Sequence, residues 1–416
     1  MPLQVSAAAK RRRDAINVKF CRARQRECKA AERTFSVCDC GEPCQDGRRL
    51  PADARPSTFA HMQSAAHPAH TVRPGSMERA ARVRALDLLR LFAALQMVQG
   101  HTIDAVLALD ARHGALHAAW VWLRGLTSVA FLFATGVAFH LMALRERAVR
   151  EHDRAGVVRR LRRAGWLVLL GYVLHAPLAV LWGQPSPAAW REAVIVDVLQ
   201  CIGVSLLLLE LVALVLRATR GVRVASWLLA GTCLLAAPSF AALRADGAWR
   251  PLLNYVTPQA GSIFPLLPWA AHVFAGVALA PWLLAPGRRA LRWLLAGLGL
   301  VLLGPLAGLA GADSAAMQLP RLGWVLVLGA ALERLEPATR AWPAWAWRLP
   351  SETLFIYAFH VLLVYGQGIG LVALLGPRLP PGLALLVAAG VIALSFGAAL
   401  GYRRVLPTLA VRTAPG

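Results

Sequence analysis

The sequence predicts an all-α, polytopic membrane protein of about ten transmembrane helices with both termini on the cytoplasmic side. Three observations carry that prediction. Of the 416 residues 57% are hydrophobic and only 16% charged, with a mean hydropathy of +0.51, where an ordinary soluble domain carries about 25% charged residues. The apolar residues fall in runs of roughly twenty, the length needed to cross about 30 Å of hydrocarbon. The arginines gather at the ends of those runs. So apolar a composition leaves too little polar surface to cover a globule, which excludes a soluble enzyme, a disordered chain and a small secreted scaffold. A net charge of +23, from 45 basic and 22 acidic residues, and a pI near 11.3 would elsewhere point to nucleic acid. Flanking apolar runs, the same charge determines membrane topology, and no nucleic-acid partner is expected.

Residues 1–76 stand apart from the rest. They hold 14 of the 45 basic residues and all three lysines, and lack both an apolar run of spanning length and a signal peptide. They read as a basic, disordered tail, or as translated sequence upstream of a start at Met77 or Met62. Five of the seven cysteines lie in this segment, and the spacing of Cys38, Cys40 and Cys44 matches no zinc pattern; no metal is expected. The membrane domain then occupies 77–416. Its candidate spans run at about 88–108, 121–143, 164–183, 193–216, 225–243, 263–284, 290–310, 319–333, 351–375 and 382–402, the eighth being short. With the N-terminus inside, 24 arginines from Met77 onward face the cytoplasm and seven face out, the bias that fixes orientation. The Arg145–Arg163 loop supplies eight of the 24 and reads first as a topology determinant and secondarily as a source of cations for an anionic ligand on that side. Tryptophans near span ends, such as Trp120, Trp122, Trp182, Trp190, Trp342, Trp345 and Trp347, read as an interfacial belt.

The first span carries the candidate chemistry. It reads Arg84-Ala-Leu-Asp87-Leu-Leu-Arg90 and continues to His101-Thr-Ile-Asp104. At 3.6 residues per turn Asp87, Arg90, Ala94, Met97, His101 and Asp104 share one stripe, with Arg90 and His101 about 16 Å apart along the axis. Arg90 belongs at the inner headgroups, which puts His101 near mid-membrane, and Asp104 one turn further is a candidate to orient the imidazole. Ionisable groups at that depth are costly and are functional by default. The plainer alternatives are a snorkelling arginine paired with Asp87 and a histidine bonded to a neighbouring helix.

Arg90, ten residues and then His101 resemble the hallmark of the transmembrane acyltransferase superfamily. More closely, the chain resembles the bacterial relatives of heparan-alpha-glucosaminide N-acetyltransferase. The match continues in Phe131-Leu-Phe-Ala-Thr-Gly136, Asp197-Val-Leu-Gln200-Cys-Ile-Gly203, Pro265-Leu-Leu-Pro268-Trp269 and Leu354-Phe-Ile-Tyr357-Ala-Phe-His360. Two positions depart from the family pattern: Leu91 stands where a glycine is usual and Cys201 where an arginine is. The resemblance implies a multi-pass protein of the bacterial inner membrane; an oligomer is compatible with it. Cytoplasmic acetyl-CoA (or another acyl-CoA) would be co-substrate and the amine or hydroxyl of an extracytoplasmic glycan the acceptor. It assigns donor binding to Arg84, Asp87 and Arg90 and acyl handling to His101 or to His117, which lies in a His-Ala-Ala-Trp120 stretch of the first outer loop.

Asp197, Gln200 and His360 are further candidates to line the site, against helix–helix hydrogen bonding. His140, His175 and His272 read as packing residues and His113 as a loop residue. A proton-coupled transporter or flippase relaying through His101, Asp104 and Asp197 is the competing reading, and a non-catalytic partner of a glycan-modifying complex a third. No internal repeat of the kind transporters carry is visible.

Overall fold

The computed structural model describes residues 83–144, 154–176, 187–243, 247–259, 261–366 and 369–412. The tail at 1–76, the cysteine cluster within it, the start at Met77, the first part of the Arg145–Arg163 loop and Trp182 lie outside the described residues. What is described is helical: α1 (Arg84–Val106), α2 (Gly114–Arg124), α3 (Leu126–Phe139), α4 (Arg154–His175), α5 (Pro187–Ala193), α6 (Val198–Leu216) and α7 (Thr219–Ala241) come first. The second half adds α8 (Arg250–Leu253), α9 (Leu266–Leu283), α10 (Arg289–Leu309), α11 (Asp313–Leu335), α12 (Thr353–Tyr365), α13 (Leu371–Leu374) and α14 (Pro381–Arg412). Among the described residues the only β contact is a single bridge between Leu107 and Leu379.

The protein is an all-α polytopic membrane protein. Among the described residues seven helical stretches are long and apolar enough to cross a membrane: 114–144, 190–216, 219–241, 266–283, 289–309, 313–341 and 381–402. The other three expected spans each contain a helix among the described residues, α1, α4 and α12. In α1 the apolar run is diluted by Gln96, Gln99 and His101, in α4 by five arginines in its first ten residues, and α12 has 13 residues. The eighth span, expected to be short, is part of a 23-residue helix that runs through Pro320. The second is broken at Gly125, so that α2 forms a separate, mostly exposed piece.

α1 and α3 sit at the centre of the described fold. One face of α1 (Leu86, Leu89, Ala93) packs with Leu126, Val129 and Phe133 of α3 and with α9, α10 and α11. Its other face (Met97, Val98, Ile103) packs on α12 and α14 and reaches α4 and α6 through Leu167 and Leu199. A third cluster joins α3 to α6, α7 and α9 and includes Cys201 and Cys233, both buried. In hydrocarbon such packing depends on close approach of small residues, because apolar side chains gain nothing over lipid. α3 and α9 cross through Gly136 and Gly276, where a Cβ at Gly136 would lie 1.9 Å from the Val273 carbonyl oxygen.

Candidate active site

α1 and α12 run side by side, each beginning at the same end of the bundle, and α4 and α6 close the space beside them. The result is a cavity of about 510 Å³. Its cationic part is made by Arg90, Arg160 and Arg163, with Glu210 and Ser351 beside them; its apolar walls include Phe131, Phe139, Leu199 and Ile202, and Met97 and Tyr357 also line it. The fully buried Glu210 accepts hydrogen bonds from Arg160 Nε at 3.1 Å and from a terminal nitrogen at 3.2 Å. The Arg90 guanidinium donates to the Ala134 carbonyl at 3.5 Å.

From Tyr357 a chain of polar contacts leads outward. The Tyr357 hydroxyl donates to Asp197 Oδ2 at 2.5 Å, and its ring meets His360 edge-on at 5.6 Å. His360 is wholly buried; its Nδ1 lies 2.8 Å from the Ile356 carbonyl and its Nε2 3.1 Å from His101 Nδ1. Tyr365 adds a hydrogen bond from its hydroxyl to the His101 carbonyl at 3.3 Å. Asp197 is held at the N-terminus of α6 by local geometry. Its Oδ1 accepts from the Val198 amide at 2.7 Å; its side chain also accepts from the Gln200 amide while Gln200 Oε1 accepts from the Asp197 amide at 3.2 Å, and that reciprocal pair makes a capping box. The loop before α9 fastens the preceding residues. Asn254 donates to the Val194 carbonyl at 2.7 Å, and Ile263 to that of Val196 at 3.1 Å. In that loop Tyr255 accepts from Tyr172 at 2.8 Å; burial first, and that hydrogen bond next, push its phenol above the usual range.

The α1 stripe is therefore real as geometry but serves three neighbourhoods. Arg90 and Met97 line the cavity, whereas His101 meets α12. Asp104 does not orient the imidazole: its carboxylate pairs with Arg124 of α2, and its carbonyl accepts from Arg112 at 2.8 Å. An arginine brought in by α2 offers that carboxylate a charge-assisted partner, which outcompetes a histidine on its own helix. Arg84 and Asp87 do not line the cavity either; Arg84 stacks on Trp347 at 5.4 Å, and Asp87 is buried in the first turn of α1. Asp197 and His360 stand behind Tyr357 and outside the cavity lining, and Gln200 is spent on the cap and on the space left by Gly171.

His117 is half-buried on α2 with its ring 5.5 Å from Trp120, whose indole donates to Gln99 of α1 at 3.0 Å. His175, expected only to pack, lies 3.5 Å from Asp197 Oδ2; His272 does pack, bonded to Gln318 at 3.1 Å. The residues missed by sequence reasoning are Tyr357, Glu210 and Arg124; Arg160 and Arg163 lie in the arginine-rich stretch that it offered to the donor phosphates, and both line the cavity. A carboxylate inside a span was signal enough for Glu210, and one helical turn to His360 was signal enough for Tyr357.

Residues 82–311 match the family model described as heparan-alpha-glucosaminide N-acetyltransferase, catalytic. That segment contains α1 to α10 and so four of the five helices that line the cavity; α12 lies beyond it. No curated protein matches the chain.

Proposed function

The chain belongs to the heparan-alpha-glucosaminide N-acetyltransferase catalytic family, and from that premise we propose that it transfers an acetyl group from cytoplasmic acyl-CoA to an amine or hydroxyl of an extracytoplasmic glycan. The observation that carries this reading is the cavity itself. Three arginines gather where a polyphosphate would enter, and apolar walls suited to a thin pantetheine arm lead on to Met97 and Tyr357. Met97 is one turn from His101, about 6 Å along α1. His101 is the residue to act on the acceptor, by taking its proton or by carrying the acetyl group. His117, with Trp120, belongs to the outer, acceptor side. Burial of the thioester between helices limits its loss to water. Arg90, Arg160 and Arg163 hold the donor phosphates; Asp104 and Arg124 fix the outer end of α1; Asp197 and His360 support the site from behind Tyr357.

The test is reconstitution in liposomes with radiolabelled acetyl-CoA and a glycan extract of the cell envelope. Label should appear in glycan, and His101→Ala should abolish it while the protein unfolds at the wild-type temperature. If His101→Ala and His117→Ala both still acetylate, the catalytic assignment is wrong. Glycan crossing the membrane unlabelled would instead favour a transporter.

A further inference from the structure

We infer that His360 is a positioning residue that fixes His101 as its Nδ1–H tautomer, so that Nε2 of His101 is the working nitrogen of the transfer. This deepens the acyltransferase reading and rests on it for its kinetic part only.

The assignment follows from which atoms have protons to give. His360 is 0% exposed. Its Nδ1 faces the Ile356 carbonyl at 2.8 Å, and a carbonyl oxygen only accepts, so Nδ1 carries the hydrogen. In a neutral imidazole Nε2 then carries the lone pair and can only accept. The atom facing it at 3.1 Å is Nδ1 of His101, which must therefore donate. The lone pair of His101 is left on Nε2, which makes no hydrogen bond among the described residues. The ring is held as well as the tautomer. His360 packs on it at 5.1 Å and Tyr365 edge-on at 5.7 Å, while Tyr365 also bonds the His101 carbonyl. His360 in turn is braced by Tyr357, whose hydroxyl is anchored on Asp197. His101 itself is only partly buried, so substrate can reach a nitrogen that its partner cannot offer.

In the transfer, the acceptor nitrogen or oxygen bonds to the acetyl carbonyl carbon and the carbon–sulfur bond breaks. The acceptor proton passes to His101 Nε2 and then to the departing sulfur, which leaves as the CoA thiol. His360 gains and loses nothing. It accepts from Nδ1–H throughout and steadies the imidazolium while that cation exists, the part a carboxylate takes in hydrolytic triads.

The experiment compares His360→Gln, His360→Asn and His360→Leu in purified, reconstituted protein. A glutamine amide reaches the place of Nε2 and restores an acceptor for His101; an asparagine amide reaches only the place of Nδ1, and leucine offers none. We expect kcat of H360Q within about tenfold of wild type, and of H360N and H360L lower by roughly 10²–10⁴, the usual worth of a correctly disposed base, with KM for acetyl-CoA unchanged because His360 does not touch the cavity. A role in packing alone would rank the variants by volume. Equal kcat for H360Q, H360N and H360L overturns the proposal.

A second arm needs neither turnover nor a folded variant at position 360. In ring-¹⁵N-histidine protein, the resonances missing from His101→Ala belong to His101. A protonated Nδ1 with a pyridine-type Nε2 supports the assignment, and the reverse pattern overturns it. Wild-type protein that transfers no acetyl group would sink the acyltransferase reading, and the spectrum would still decide the tautomer.

Discussion

Arg160 and Arg163 stand three residues apart on α4 and line the same cavity, yet they should fail differently when removed. Arg160 is committed to Glu210, a fully buried carboxylate that it grips with two nitrogens. Arg163 is exposed and has no partner among the described residues. Taking one member from a buried pair leaves the other charge uncompensated, at a cost of about 3–5 kcal/mol. Arg160→Ala should therefore lower the thermal midpoint in detergent markedly, and Arg160→Ala with Glu210→Gln should recover most of that loss. Arg163→Ala should leave stability within about 0.5 kcal/mol. Its effect belongs on the donor: KM for acetyl-CoA should rise about tenfold, as expected when a hydrogen bond to a charged group, worth roughly 1.5–3 kcal/mol, is lost. A fall in kcat with KM unchanged would remove Arg163 from the phosphate site. The same contrast governs α1. Spacing alone puts His101 and Asp104 on one face, but each side chain takes the better partner that another helix presents, His360 for one and Arg124 for the other.

At the scale of elements, backbone contact between α3 and α9 is the most exacting feature. A methyl group at Gly136 would sit 1.9 Å from the Val273 oxygen, and the facing Gly276 is as crowded against Phe133. Since α3 supplies residues to two of the three buried clusters and packs on the third through Phe131, Gly136→Ala should destabilise by roughly 1–3 kcal/mol or more. Gly390→Ala on α14, where nothing lies within 4 Å of the new methyl, should be neutral or stabilising by up to about 1 kcal/mol. Equal thermal midpoints for the two variants would show that the helices part without cost. Gln200→Ala makes a subtler case. It removes one half of the capping box and the bond to the Ile195 carbonyl, and should cost about 1 kcal/mol. It should also loosen Asp197, and with it Tyr357.

These examples separate what is legible along the chain from what is not. A membrane helix is specified by its own twenty residues, because every backbone group must be satisfied within it, and seven of the expected spans coincide with long apolar helices for that reason. The break at Gly125 and the extension through Pro320 depend on neighbours and do not show in hydropathy. The pattern Asp197-x-x-Gln200 announces a cap, though inside an apolar run it reads first as a polar pair lining a cavity. The His101–His360 contact closes 259 residues of sequence, and nothing local to either histidine specifies the other.

For the whole molecule, the consequence to test is sidedness. The charged residues of the cavity come from the second turn of α1 (Arg90), the first half of α4 (Arg160, Arg163) and the second half of α6 (Glu210), and Ser351 lies two residues before α12. In an antiparallel bundle those four segments lie at one end. It is the end to which the excess of arginines, 24 against seven from Met77 onward, assigns the cytoplasm. His101, Asp104, α2 and the capped start of α6 lie towards the other end. Donor and acceptor should accordingly be taken from opposite faces, with the bilayer keeping acetyl-CoA on its own side. Sealed inverted vesicles given acetyl-CoA outside and glycan acceptor trapped inside should accumulate labelled glycan in the lumen. Right-side-out vesicles of equal protein content, given both reagents outside, should label little. Permeabilising both with detergent should bring them to the same rate, since donor and acceptor then reach both ends of every molecule. Equal labelling by the two intact preparations would show that donor is taken from either face, and labelling by right-side-out vesicles alone would put the arginine-lined cavity outside and reverse the orientation drawn from arginine placement.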